Sequence, residues 1–195
     1  YYNIWDDLPF PHWNETAYES CDALFAISKQ TYNINKEVCK RKPRLEGKDL
    51  FYVQHGINEK HFFPITEKDE EFETFKKDVL NGKEYDFTIF FNSRNIRRKG
   101  ISDLLSAYAR FTRDMTQEQV DKIAIILHTD PVDENGTDLP KVAQVICPGR
   151  NVVFSNKKLP YQGLNFMYNL ADVVCQPSSA EGFGLSHMEA MMSGT

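Results

Sequence analysis

From Phe87 onward the chain alternates short apolar runs with stretches of helical periodicity, and this alternation constrains the fold more than any other feature. Phe87 to Phe91, Ile123 to Leu127, Val152 to Phe154 and Asp172 to Cys175 read as strands. Between them, Leu104, Leu105, Tyr108 and Phe111 share one helical face, and Pro160 sits where a helix tolerates proline, ahead of Leu164, Met167 and Leu170. Strands alternating with helices imply an α/β protein with a parallel, doubly wound sheet.

The first third follows the same grammar. Asn14 can cap a short helix through Ser20, Ala23 to Ile27 is a compact apolar run, and Ser28 opens a helix to about Lys40. Leu50 to Gln54 reads as the next strand and ends in the turn His55-Gly56-Ile57-Asn58. From His61 to Gly82 the composition changes: Phe62-Phe63-Pro64 precedes an acidic run, in which Phe72, Phe75 and Val79 form one apolar stripe. The expected organisation is therefore residues 1–60 closing one lobe, 61–83 connecting with a helix, and 84–195 opening a second lobe. Because the chain opens at Tyr1 in mid-pattern and stops at Gly194-Thr195 just after a helix is launched, it is expected to be a fragment.

Composition removes several function classes. A chain that is 41% hydrophobic can bury a core, but its longest aliphatic run, Ile123 to Leu127, is far short of the ~20 apolar residues that cross a bilayer. A net charge of −5 argues against the phosphate attraction behind nucleic-acid binding. Cys21, Cys39, Cys147 and Cys175 are too dispersed for CxxC zinc pairs or a dense disulfide framework, so reduced thiols in a cytoplasmic protein are expected. Lys40, Arg41, Lys42 and Arg44 fall at a helix end that suits cations; an acidic partner or peripheral membrane contact is the other reading. No HExxH motif occurs, and aligning Gly136 with the sixth position of a calcium loop puts Pro131 first and Val142 last, where carboxylates belong. No metal site is expected.

Two segments carry chemistry. NSRNIRRKG follows the strand Phe87 to Phe91 and places Arg94, Arg97, Arg98 and Lys99 within six residues, in a chain that is acidic overall. Such a bend suits an anion, and in open α/β sheets ligands bind beyond the carboxyl ends of the strands. EGFGLSHMEAM, from Glu181 to Met191, brackets a glycine-punctuated turn with two carboxylates and runs into a helix near Ser186. Gly182 and Gly184 allow close backbone approach, and the helix start aims unpaired N–H groups at an anion, leaving glutamates to hold hydroxyls. A strand-turn-helix corner with merely solvated glutamates is the plainer alternative. The acid and nucleophile of a glycoside hydrolase fit poorly: eight helical residues span ~12 Å, whereas hydrolase carboxyls stand ~5–5.5 or ~6.5–9.5 Å apart.

The E-x7-E segment, with Ser193-Gly194 after it, resembles the signature of the retaining GT-B-type glycosyltransferases of the "glycosyl transferases group 1" family. R-x4-K-G at Arg94 to Gly100 is similar to that family's diphosphate-binding pair. Ala26-Ile27-Ser28, HGIN with Phe63-Pro64, and Leu170-Ala171-Asp172 through Pro177-Ser178 extend the likeness from about Ala23 to the end, although His55 stands where the family usually has Asn. The resemblance implies a two-lobed arrangement of doubly wound parallel sheets. It also implies transfer of a sugar, with retention, from a UDP- or GDP-linked donor to a glycan, lipid or other hydroxyl acceptor, as in glycan biosynthesis, without a metal or other cofactor. By the same likeness, Arg94, Lys99 and the Gly182, Phe183, Gly184, Leu185 turn hold the diphosphate. Glu189 takes the donor ribose hydroxyls, and Glu181 is the catalytic residue near the anomeric carbon. Asp6, Asp7 and His12 are acceptor-side candidates; His128, at a strand end near the same crevice, is a weaker candidate for donor contact, and His187 is expected to pack along the helix. An epimerase or phosphorylase on the same shell, or a non-catalytic sugar-nucleotide module, would use the same anion site; a dehydrogenase would need a G-x-G-x-x-G that the chain lacks.

Overall fold

A computed structural model describes residues 2–3 and 15–195. It contains two parallel sheets, and the contacts divide the chain into two units: residues 1–56 with 180–184, and residues 57–179 with 185–195.

In the first unit the strands β1 (Tyr2–Asn3), β2 (Ala23–Ala26) and β3 (Asp49–Tyr52) lie side by side in that order, all parallel. Helix α1 (Glu15–Glu19) precedes β2. Helix α2 (Lys29–Arg41) connects β2 to β3, and the Ser28 side chain caps it by accepting from the Thr31 N–H. Tyr18, Leu24, Ile34, Val38 and Leu45 form the core beneath α2, where the Tyr18 hydroxyl donates to Asn35 Oδ1 at 3.1 Å. β3 ends at Tyr52, two residues earlier than the expected Gln54. Val53 still donates to the Ala26 carbonyl, but its side chain and those of Phe51 and Tyr52 are exposed, so burial does not prolong the strand.

The second unit has a four-stranded parallel sheet built from β4 (Phe87–Asn92), β5 (Ile123–His128), β6 (Asn151–Ser155) and β7 (Val173–Val174). The spatial order is β6-β5-β4-β7. The chain therefore builds outward from β4 through β5 to β6, then returns to the other side of β4, which makes a reversal point between β4 and β7.

Side chains of β4 and β5 alternate between two cores, as period-two geometry requires. Ile89, Phe91, Ile125 and Leu127 face α4 (Ile101–Phe111) and α6 (Leu139–Ile146), meeting Leu105, Tyr108 and Leu139. Phe90 and Ile126 face the other layer, with Met167, Tyr168 and Leu170 from α7 (Tyr161–Leu170) and Ala190 from α8 (Leu185–Met192). A short helix, α5 (Gln117–Asp121), opened by a capping box of Thr116 and Gln119, leads into β5.

Helix α3 (Glu70–Val79) carries the expected apolar stripe, and it packs on α7, with Phe72 and Phe75 each about 5.5 Å from the Phe166 ring. One expected core position fails. Phe111 is 49% exposed because it is the last residue of α4, where its ring only flanks Phe87 at 6.2 Å.

Segment 61–65 is stitched to α7 through two asparagines. Buried Asn165 accepts from the Phe63 N–H at 3.0 Å and from the Ser193 hydroxyl at 2.9 Å, and Asn169 accepts from the Ile65 N–H at 2.7 Å. Replacing Asn165 by Ala strands the Phe63 donor, and a lost buried partner costs ~1–3 kcal/mol. Urea unfolding followed by circular dichroism is expected to show that loss of stability; an unchanged midpoint would contradict the assignment.

Candidate active site

β4 delivers the chain to the reversal point and then turns it sharply. The turn is made by Asn95, which is 2% exposed. Its Nδ2 donates to the carbonyls of Asp130, Pro131 and Thr137, and its Oδ1 accepts from the Thr137 N–H at 3.2 Å. One side chain thus clips the loop after β5 onto the basic bend after β4. Gly136 is required in that loop, since a Cβ there would overlap the Asn95 main-chain carbonyl.

The bend continues as one 3₁₀ turn, Arg97–Lys99, closed by Gly100 in the left-handed region at φ 63°. Gly100 has a second reason to lack a side chain: a Cβ would lie 2.7 Å from the Pro177 carbonyl. The segment after β7 therefore presses directly on the bend, and the Ser179 N–H donates to the Arg98 carbonyl at 2.9 Å. On the same side the Ser186 hydroxyl, in the first turn of α8, donates to the Asn92 carbonyl at 2.8 Å. The cationic bend, the exit of β7 and the start of α8 meet at one place.

The charges there are arranged unequally. Lys99 is only 8% exposed, which is unusual for lysine. Arg94 is open to solvent and grips Asp133 as a fork, Nε to Oδ2 at 2.9 Å and Nη2 to Oδ1 at 3.4 Å. That hydrogen bond, with the guanidinium charge, holds the Asp133 carboxyl below its usual range and raises Arg94. Asp133 is covered by its neighbours but Arg94 stays open to solvent, which screens the pair, so it contributes little by itself.

Next to the bend, a cleft of ≈360 Å³ opens at the carboxyl ends of β4, β5 and β6, lined among others by Asn92, Arg94, His128, Thr129, Ser155 and Lys157. His128 Nδ1 and the Ser155 hydroxyl share a hydrogen bond of 2.9 Å. Burial pushes the His128 pKa down, with the Ser155 bond opposing it. Thr129 Oγ1, Gln176 Oε1 and Ser178 Oγ are buried without a hydrogen-bond partner among the described residues, and all three follow strand ends. Such groups are costly when unmade and are relieved by a polar ligand.

Two larger grooves are lined by other residues, one acidic and one basic. One, of ≈570 Å³ along residues 63–71, is lined by Glu67, Asp69, Glu70 and Glu71. The other, of ≈430 Å³ along residues 36–50, contains the basic cluster after α2, where Lys40, Lys42 and Arg44 already pair with Glu37, Glu15 and Glu19.

A sequence profile of the family described as "Glycosyl transferases group 1" matches residues 71–195. The chain belongs to this family. No curated protein sequence matches it. Among solved structures, a glycosyltransferase from Rickettsia africae superposes with a TM-score of 0.67 at 15% identity, over 96% of this chain and 48% of that one. The E. coli trehalose-6-phosphate structure bound with UDP-2-fluoro glucose gives 0.67 at 16%, over 98% and 49%. The C-terminal domain of a group 1 family protein from Francisella tularensis gives 0.54 at 18%, over 71% and 67%. At these identities the likeness establishes the GT-B fold alone, and the chain spans about half the length of the Rickettsia and E. coli chains.

Of the expected site residues, Arg94, Lys99, Leu185 and Glu189 lie in the second unit, on the bend or on α8. Glu181, Gly182, Phe183 and Gly184 group with the first unit, where the Phe183 ring meets His55 edge-on at 5.4 Å and Gly184 takes φ 82°. Asp6, Asp7 and His12 lie outside the described residues. No group of three or more His, Cys, Asp or Glu side chains suited to a metal occurs among the described residues, and no helix there is long and apolar enough to cross a membrane. Sequence reasoning did not single out Asn92, Asn95, Tyr168 or Ser186. Position at or just after the end of β4 could have pointed to Asn92 and Asn95, and position at the start of α8 to Ser186, but nothing local points to Tyr168.

Because burial holds the His128 pKa below the ordinary imidazole value of 6.5, its protonation opposes folding. Stability is full above 6.5 and declines as pH falls from there through the folded pKa. An NMR titration of the His128 ring is expected to give a midpoint below 6.5; a midpoint at or above it would contradict the buried environment.

Proposed function

We propose that the chain forms the donor-binding part, with a portion of the acceptor lobe, of a retaining glycosyltransferase that moves a hexose from a UDP- or GDP-linked donor to a hydroxyl acceptor. The carrying observation is the meeting of the cationic bend, the β7 exit and the start of α8 at the sheet's reversal point.

In this reading the acceptor hydroxyl oxygen bonds to the anomeric carbon as the bond between that carbon and the phosphate oxygen breaks, and the hydroxyl proton passes to the departing diphosphate, on which negative charge gathers. Lys99 and Arg94 neutralise it, together with N–H groups of the Gly182 to Leu185 turn. The buried position of Lys99 strengthens its effect, since a charge shielded from water is screened less than an exposed one. Arg94 is pre-aimed by Asp133, and because that pair is screened, a diphosphate with several oxygens competes for the guanidinium readily. Glu189 accepts from the donor ribose hydroxyls, and Glu181 stabilises the positive charge that develops at the anomeric carbon. The donor is a substrate, and no metal is assigned a role.

The test is a panel of nucleotide sugars offered to the intact protein, read as binding and as transfer to a second molecule, with Lys99→Ala alongside. Expected is one donor that binds and is transferred, with affinity falling at least about tenfold in the variant, as loss of a charge-assisted phosphate contact requires. Unchanged affinity in Lys99→Ala would remove its role, and epimerised or phosphorolysed product would replace the reaction.

A further inference from the structure

Glu189 is not a free carboxylate on its helix. The Tyr168 hydroxyl donates to Glu189 Oε2 at 2.6 Å, and Asn92 Nδ2 donates to that hydroxyl at 2.8 Å. Tyr168 is fully buried, with its ring edge-on to Phe90 and Phe62 at centroid distances of 5.4 and 5.9 Å. The ring cannot move without disturbing the core beneath α7 and α8, so its hydroxyl is fixed where these helices reach the end of β4. Asn92 is fixed as well. It is the last residue of β4, and its carbonyl is held by Ser186 from the start of α8. Burial and the adjacent Glu189 carboxylate raise the Tyr168 pKa far above that of an ordinary phenol, so the hydroxyl remains a proton donor at any working pH.

A buried tyrosine needs some partner for its hydroxyl, and a structural role alone would satisfy that need. The partner chosen here is the second glutamate of the E-x7-E segment, which is already assigned to the donor ribose. We propose that Tyr168 is a positioning residue that holds one Glu189 oxygen and fixes the carboxylate for the ribose diol, setting a preference for ribonucleotides over dideoxynucleotides. The inference rests on the ribose reading of Glu189 given above. Its physical basis is preorganisation: a glutamate whose rotamers are already frozen loses less entropy when it binds, and that saving appears only with ligands that use it.

Isothermal titration of the chain with UDP and 2′,3′-dideoxy-UDP, and with GDP and 2′,3′-dideoxy-GDP, gives the ratio of the two affinities. The wild type is expected to prefer the ribonucleotide by about tenfold. Tyr168→Phe keeps the ring and removes only the hydroxyl; it should bring the ratio to about two or below while leaving the dideoxynucleotide affinity unchanged. If Tyr168→Phe keeps the wild-type ratio while Glu189→Gln collapses it, the inference is overturned and the ribose reading stands. If Glu189→Gln also keeps the ratio, or the wild type shows no preference, the ribose reading itself fails and takes the inference with it. Should Tyr168→Phe lose its helical circular dichroism, Asn92→Ala removes the amide that orients the phenol: a fallen ratio supports the proposal and an unchanged one overturns it.

Discussion

Strand β7 pairs with β4 over only two residues, and the site depends on that short pairing holding. Asp172 reinforces it: its Oδ2 accepts both the N–H and the hydroxyl of Thr88, at 2.7 and 2.9 Å, while its own N–H donates to the Thr88 carbonyl. The Thr88 hydroxyl also reaches the Leu170 carbonyl. With Thr88 3% exposed, these bonds are made out of water, where leaving them unmade is costly. They fix β7 on the far side of β4 from β5, and the strand reversal that results is the geometric origin of the crevice.

What converges at that crevice is charge on one side and hydrogen-bonding capacity on the other. Lys99 and Arg94 come from the bend, which Asn95 shapes by clipping the 130–138 loop against it. The exit of β7 contributes Gln176 and Ser178, whose buried oxygens have no partner among the described residues, and α8 contributes Ser186 and Glu189. β4 and α8 are coupled through Asn92, whose side-chain amide donates to the Tyr168 hydroxyl and whose carbonyl accepts from the Ser186 hydroxyl. The anion binding proposed for the bend and the carboxylate orientation proposed for α8 would thus share one local network.

The sequence shows the strands of the second unit well, because fully apolar runs such as Ile123 to Leu127, short and set between helical patterns, fit a buried parallel strand. Helix starts are legible where a side chain caps them, as Ser28 does for α2. Misreadings came where an element ends and solvent takes over, at Phe111 and at Val53 and Gln54. The family resemblance and the GT-B fold rest on spaced residues that sequence displays directly, Arg94, Lys99, Glu181 and Glu189. Their supports were hidden for a physical reason. Asn95 and Tyr168 act through partners 35 to 42 and 21 positions away, and nothing local distinguishes Tyr168 from an ordinary core residue of an amphipathic helix.

The central claim is that the reversal point between β4 and β7 binds the diphosphate of a nucleotide. Hydrogen–deuterium exchange of the chain with and without UDP, and with and without GDP, tests it most directly. The account predicts slowed exchange, with at least one of the two nucleotides, in peptides covering residues 93–100, 176–179 and 185–189 together. Protection confined to residues 36–50 or 63–71, with those three segments unchanged, would contradict it.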